Sequence, residues 1–153
     1  MDKSLEELLP HKPPMIVLSD VVEFDIDKGD LIARADIKNT DILYLEEMLG
    51  VPSYFVLEYM AQSIAAFAGY MDLKNNKKSG IGFLLGTKKL EVFKPVLDVG
   101  ESYFIKVCQL FMEDNLASFE CIVYDKDDNN IASAVISTYR PDNEDNFIRG
   151  ENE

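Results

Sequence analysis

The sequence predicts an α+β domain in which an antiparallel sheet curls around one central helix. Three observations carry that prediction. Residues 53–73 form one long run with Gly69 as its sole breaker, longer than a strand uses. Four segments rich in Val, Ile and Phe follow it, separated by the turn-forming stretches LDVG, EDN and DDNN. Two more segments of the same kind precede it.

Each element has its own signal. SLEELLP is a short helical or turn-like lead-in. PMIVLSDVVEFDI (14–26) and LIARADI (31–37) read as a hairpin, with DKGD supplying the turn. Residues 38–52 mix polar side chains with Gly50 and Pro52, and read as a loop with one short helical turn. The helix that follows is apolar on almost every side except at Glu58 and Gln62. A helix without a polar face over about five turns is expected to be wrapped by other structure on most sides. It ends in DLKNNKKSG, where basic residues suit a helix C-terminus and Gly80 suits the exit. Residues 81–96, 101–112, 115–126 and 130–140 then read as a meander. In its last two strands Phe119, Cys121 and Val123 share one face, as do Ala132, Ala134 and Ile136, by the two-residue alternation. Small residues there let a helix lie close to the sheet. Residues 1–141 are read as one domain and 142–153 as a disordered acidic tail, too poor in apolar surface to offset its ordering entropy. One sheet over one helix leaves an outer face and edges uncovered, which predicts a dimer.

Composition bounds the function classes. A chain of 153 residues, 47% hydrophobic, suits one domain with a substantial core. Asp and Glu outnumber Lys and Arg by 28 to 15, and a net charge of −13 opposes binding to nucleic acid or to an anionic membrane surface. The start, MDKSLEELLPHK, lacks the basic flank and apolar run of a secretory signal, and no segment offers ~20 uninterrupted apolar residues for a membrane span. A cytoplasmic protein is expected. Cys108 and Cys121 lie in apolar strand-like runs without zinc-ligand spacing and are read as buried free thiols. A Gly-rich phosphate loop, a metal-ligand cluster and a nucleophile elbow are all missing, so the expectation is chemistry without cofactor or metal, or no chemistry.

Three features remain as a candidate site. Glu58 and Gln62, four residues apart, share one helix face. Burial of Glu58 would favour its protonated form, the state a general acid needs; the alternative is that the pair lines a dimer interface or a wet edge of the sheet. His11 is the only histidine, held between Pro10 and the pair Pro13 and Pro14. It is a candidate base, or else it caps a turn at the start of the first strand. Ser53 opens the helix after Pro52, where free N–H groups could stabilise a developing oxyanion.

Over residues 8–141 the chain resembles the hot-dog-fold 3-hydroxyacyl-[acyl carrier protein] dehydratases of fatty acid synthesis. LLPHKPPMIVLSDVV is similar to that family's opening segment, LEYMAQSIAAFAGY to its central helix, and IGFLLGTKKLEVFKPVLDVGES to the strand and turn that follow. The combination of PHKPPM, GVPSYFVLEYMAQ, GFLLGTKKLE and SFECIVY resembles most the dehydratases encoded with aryl polyene biosynthesis. The resemblance implies a long helix wrapped by a curved antiparallel sheet, a dimer, and a tunnel for an acyl chain on a phosphopantetheine arm. It implies that Glu58 protonates the leaving 3-hydroxyl, that Ser53 supplies an N–H to the thioester carbonyl, and that Gln62 orients the acid. The family's histidine lies in a His-Phe-Pro-Gly segment before the helix, whereas LYLEEMLGVP has none and Tyr44 stands nearest that place. Either His11 has taken over as base, or a partner subunit supplies one, or the protein binds thioesters without dehydrating them. The aryl-polyene likeness favours the first two.

The expected function is therefore dehydration of a 3-hydroxyacyl thioester on an acyl carrier protein, or on coenzyme A, to the trans-2-enoyl thioester, in fatty acid or aryl polyene type biosynthesis. Glu58 serves as acid and His11 as base, in a homodimer or a mixed dimer with another hot-dog chain. The alternatives are an acyl thioesterase and a non-catalytic thioester-binding subunit. Carrier proteins are usually acidic, which makes a local basic patch a requirement. NNKKSG with Lys88 and Lys89 is the candidate, or simply a solvated turn.

Overall fold

The computed structural model describes residues 4–75 and 83–140. Its main sheet has six strands, all paired antiparallel: β1 (Asp20–Asp25), β2 (Asp30–Asp36), β4 (Phe83–Val92), β6 (Ser102–Glu113), β7 (Leu116–Asp125) and β8 (Asn130–Tyr139), in the order β1-β2-β6-β7-β8-β4. Two of these strands precede the long helix and four follow it, as the sequence pattern predicts. The alternation also holds. Phe119, Cys121 and Val123 are buried, as are Ala132, Ala134 and Ile136, while Glu120 between them is exposed.

The helix α2 runs Val56–Lys74, preceded by a single 3-10 turn at Ser53–Phe55. It lies across the inner face of the sheet, with Phe67 meeting Phe24 and Phe119 edge-on at 5.6 Å each. It is wrapped on most sides, as expected, with Tyr59, Gln62, Ser63 and Ala66 buried as well, and one side is the exception. Val56, Met60, Ile64 and Phe67 are buried, yet Glu58, Ala61, Ala65 and Ala68 form a half-buried stripe. These residues recur at steps of three and four and so share one face. A polar face is missing there because the alanines of this stripe line a cavity.

Three further departures have physical reasons. Residues 50–52, read as loop, and 96–98, read as the end of a strand and the start of a turn, pair as a small second sheet of β3 (Gly50–Pro52) and β5 (Val96–Asp98). Three-residue strands are too short to show a period. Gly50 allows the close approach: a Cβ there would sit 2.2 Å from the Leu97 carbonyl oxygen. The long segment 81–96 accordingly divides into β4 and the approach to β5. The first strand begins at Asp20 rather than at residue 14, because backbone groups of Met15 and Val17 bond to a side chain of α2 instead of to a strand.

α1 (Leu5–Leu8) is closed by a capping box between Ser4 and Glu7. Gly69 explains its position. A Cβ on Gly69 would stand 2.4 Å from the Leu8 carbonyl oxygen, so the mid-helix glycine that costs α2 propensity is what lets α1 lie against it. The turn between β6 and β7 has Asp114 and Asn115 both at positive φ, 52° and 69°, the two-residue geometry of a type I′ hairpin.

Cys108 and Cys121 are free thiols, and burial, helped by the charge of Glu120, pushes the Cys121 thiol up to about 12, so it stays protonated and inert. The edge strand β4 leaves Leu90 and Val92 exposed, with Phe93 beyond its end, and Lys88 and Lys89 are exposed on it. Residues 76–80 of the NNKKSG patch and the tail from residue 141 lie outside the described residues. No described helix is long and apolar enough to cross a membrane.

Two outcomes follow from this packing. Gly69→Ala is expected to destabilise by about 1–3 kcal/mol through overpacking against Leu8, against a propensity gain of about 1 kcal/mol; a denaturant titration that showed stabilisation would contradict the close-approach argument. Burial of Asp36 opposes its ionisation, but the hydroxyl of Ser102, the guanidinium of Arg34 and the charge of Lys38 outweigh it and hold the carboxyl below its ordinary range. A depressed folded value means stability present above the unfolded value, about 3.9, and lost as pH falls through the folded one. Ser102→Ala should therefore flatten the acid limb of the stability-against-pH curve, read by thermal melts from neutral to low pH.

Candidate active site

Gln62 is fully buried, and its amide is the centre of the site. Its Oε1 accepts the Val17 N–H at 2.9 Å, and its Nε2 donates to the Met15 carbonyl at 2.8 Å and to Glu58 Oε1 at 3.1 Å. These partners fix which way the amide faces, since a backbone N–H can meet only the oxygen side and a carbonyl only the nitrogen side. The side chain therefore does two tasks. It ties the segment after Pro13 and Pro14 to the helix, and it orients the Glu58 carboxylate one turn away.

That tie brings the N-terminal segment to α2. His11 Nε2 stands 3.7 Å from Glu58 Oε1, with side chains 28% and 39% exposed. The distance suits an ion pair or a small bridging group and is too long for a direct hydrogen bond. The far ring nitrogen, Nδ1, is buried and has no hydrogen-bond partner among the described residues. Sequence spacing could not place these two residues together; a single chain does so without a partner's help. The expectation that Glu58 is buried needs correction, however. Its side chain opens onto the half-buried stripe, so access to a ligand, rather than desolvation, characterises it.

Ser53 differs from its expected role. It is 1% exposed, and its N–H donates to the Pro95 carbonyl at 2.9 Å. This bond extends the β3–β5 ladder by one step, from Pro52 paired with Val96, into the helix start. The Ser53 N–H is therefore engaged in the fold. Its hydroxyl is buried with no partner among the described residues. The same is true of the Tyr59 hydroxyl, next to Glu58 in sequence, which burial and the charge of Asp41 hold protonated well above the ordinary range. Tyr59 is not singled out in the sequence, because the signal it carries, a hydroxyl on an apolar helix, is weak. Tyr44, nearest the place of the family histidine, instead donates to Glu46 Oε2 at 2.9 Å. Among the described residues, no group of three or more His, Cys, Asp or Glu could hold a metal ion.

The family model described as ApeP-like, ApeP dehydratase, matches residues 3–149. The chain belongs to the ApeP-like dehydratase family. It is 29% identical over 96 residues to the 3-hydroxyacyl-[acyl-carrier-protein] dehydratase FabZ of Anaeromyxobacter dehalogenans, covering 61% of each chain. It is 25% identical over 126 residues to the bifunctional enzyme LpxC/FabZ of Chlorobaculum tepidum, covering 79% of this chain and 26% of that one. A Chlamydia trachomatis FabZ matches at 23% over 97 residues, covering 61% of this chain and 63% of the relative. The chain thus spans less than two thirds of the length of these curated relatives. In structure it is similar to the dehydratase heterocomplex ApeI:P of Xenorhabdus doucetiae, with a TM-score of 0.87 at 21% identity over 97% of both chains. It is less similar to a hypothetical thioesterase with coenzyme A from Streptococcus pneumoniae, with a TM-score of 0.60 at 9% identity over 78% of this chain and 83% of that one. The fold of this ApeP-like chain is the hot-dog fold.

Gln62→Leu, similar in volume, strips the buried Val17 N–H and the part-buried Met15 carbonyl of their partner. Each orphaned group costs about 1–3 kcal/mol, so the variant should melt several degrees lower than wild type. An unchanged melting temperature would show that the amide does not hold the segment.

Proposed function

We propose that this ApeP-like protein dehydrates a 3-hydroxyacyl thioester carried on an acyl carrier protein to the trans-2-enoyl thioester, with Glu58 as acid and His11 as base. The observation that carries the reading is the 3.7 Å separation of His11 Nε2 and Glu58 Oε1 in a chain of a dehydratase family. The FabZ relatives, named as 3-hydroxyacyl-[acyl-carrier-protein] dehydratases, support the substrate class.

The step balances with these two groups. Neutral His11 takes the proton from C2 at Nε2, and the C–H electron pair becomes the C2–C3 double bond. The C3–O bond breaks, the oxygen takes the proton of Glu58, and water leaves. Afterwards Glu58 is a carboxylate beside an imidazolium, and a proton passed from His11 to Glu58 restores the starting form. Two groups this close reach neighbouring carbons from one face, so the elimination is syn. Gln62, donating to Glu58 Oε1, keeps that carboxyl aimed while its other oxygen handles the proton. The engaged Ser53 N–H leaves polarisation of the thioester carbonyl to the next N–H groups of the helix start, those of Tyr54 and Phe55.

A mixed working unit is a second element of the reading. The ApeI:P neighbour is a heterocomplex, and the free edge β4 with exposed Leu90 and Val92 offers a surface for another hot-dog chain.

The decisive assay follows water loss from a 3-hydroxyacyl carrier substrate by mass spectrometry. Removing a general acid or base lowers rate by about 10²–10⁴-fold, so Glu58→Gln and His11→Ala should each fall by that much while keeping the wild-type circular dichroism spectrum. Release of free thiol in place of enoyl product would indicate hydrolysis. Activity that arises only on mixing with a second hot-dog chain and survives His11→Ala would assign the base to the partner.

A further inference from the structure

The half-buried stripe of α2, from Ala61 onward, lines a cavity of about 290 Å³ that reaches His11 at one end. Ala61, Ala65 and Ala68 form its helix wall, with Phe119 and Ile136 across from them on the sheet. Toward the C-terminal end of α2 the lining turns polar. There Asp72 and Arg140 join in an ion pair between helix and sheet, beside Thr138.

We propose that the Asp72–Arg140 ion pair is the floor of the acyl-chain cavity and sets the longest chain the site accepts. The identity of the occupant, a 3-hydroxyacyl chain, rests on the dehydratase reading. Glu58, Ala61, Ala65, Ala68 and Asp72 follow one another at steps of three and four, so both carboxylates stand on one helix face with methyl groups between them. Glu58 meets His11 at one end, and Asp72 meets Arg140 at the other. The rise between them is about 21 Å, which an extended alkyl chain covers in ~17 bonds at ordinary C–C geometry. Asp72 is 8% exposed, and the Arg140 side chain 27%. A chain terminus pressed against them would strip the remaining water from the guanidinium without replacing its hydrogen bonds, which is unfavourable. A buried ion pair adds little net stability over well-packed apolar residues. A leucine at position 72 would have continued the apolar lining; the charged pair ends it, with the polar side chains of Asn75 and Thr138 beside it.

Binding tests this without turnover. Non-reactive 3-hydroxyacyl-pantetheine amides of about 8 to about 22 carbons, bracketing the ~17-bond span, are titrated into the wild-type chain and into Asp72→Ala/Arg140→Ala by calorimetry. The double variant removes both charges, so neither is left unpaired. Wild-type affinity is expected to rise with length and then fall by about tenfold once the chain passes the floor, and the variant should move that fall to longer chains. Identical length profiles, or no binding at any length, would overturn the floor. A protein that shows the cut-off but dehydrates nothing would defeat the dehydratase reading alone. Should the double variant fail to fold, wild type labelled with an amide carrying a terminal diazirine decides the matter. Label on residues 72–75 or 138–140 from chains at the cut-off length supports the floor, and label elsewhere overturns it.

Discussion

The amide of Gln62 is the contact on which the arrangement depends. It is buried in the middle of α2, and it holds both the Val17 N–H and the Met15 carbonyl, residues 45 and 47 positions away. A backbone N–H as buried as that of Val17 must be satisfied, and the same side chain also takes the Met15 carbonyl. The cheapest partner for the segment after Pro14 would have been a longer first strand, and Gln62 takes its place. Two things follow from that substitution. The chain is free to leave the sheet before Asp20 and run along the helix, and its lone histidine is delivered to the one side chain the same amide orients.

The glycine positions serve the same end. Gly69 lets α1 lie against α2 at the Leu8 carbonyl, and Gly50 lets β3 close on β5 at the Leu97 carbonyl. One contact anchors the segment that leads to His11 and the other anchors the helix start at Ser53. Neither is needed to form a sheet with a helix on it. Both are needed to keep the two approaches to Glu58 in place.

What the sequence made legible divides along contact range. The six long strands and α2 each carry their own period over many residues, so their existence and order can be read locally. The face of β7 with Phe119, Cys121 and Val123 is equally local. Strands of three residues carry no period, and β3 and β5 were invisible for that reason. Glu58, Gln62 and His11 could be singled out by type, because a carboxylate and an amide on an apolar helix and a single histidine are each unusual. Their mutual geometry could not, since it is made by bonds across more than forty residues. Ser53 shows the reverse: its place at the helix start was legible, while the bond of its N–H to Pro95 belongs to a ladder that was not. Asp72 and Arg140 read as ordinary element ends, 68 residues apart.

The two carboxylates of α2 share a helix face and differ in freedom, and that difference fits a division of labour. Asp72 is held by the Arg140 guanidinium and, on the proposed reading, serves as a wall. Glu58 faces an imidazole across 3.7 Å and an amide donor at 3.1 Å. These neighbours orient the carboxyl and leave it open to a ligand. The proposed acid is held in direction at a place a ligand can reach, and the proposed floor is held by an ion pair. On the proposed reading, an apolar helix with a carboxylate at each end of an alanine stripe binds a chain along its length and performs proton transfer at one end, with Gln62 turned to Glu58 and to the segment after Pro14. The half-exposed alanine stripe is costly to leave to water, and an acyl chain laid along it would cover the face that the fold leaves open.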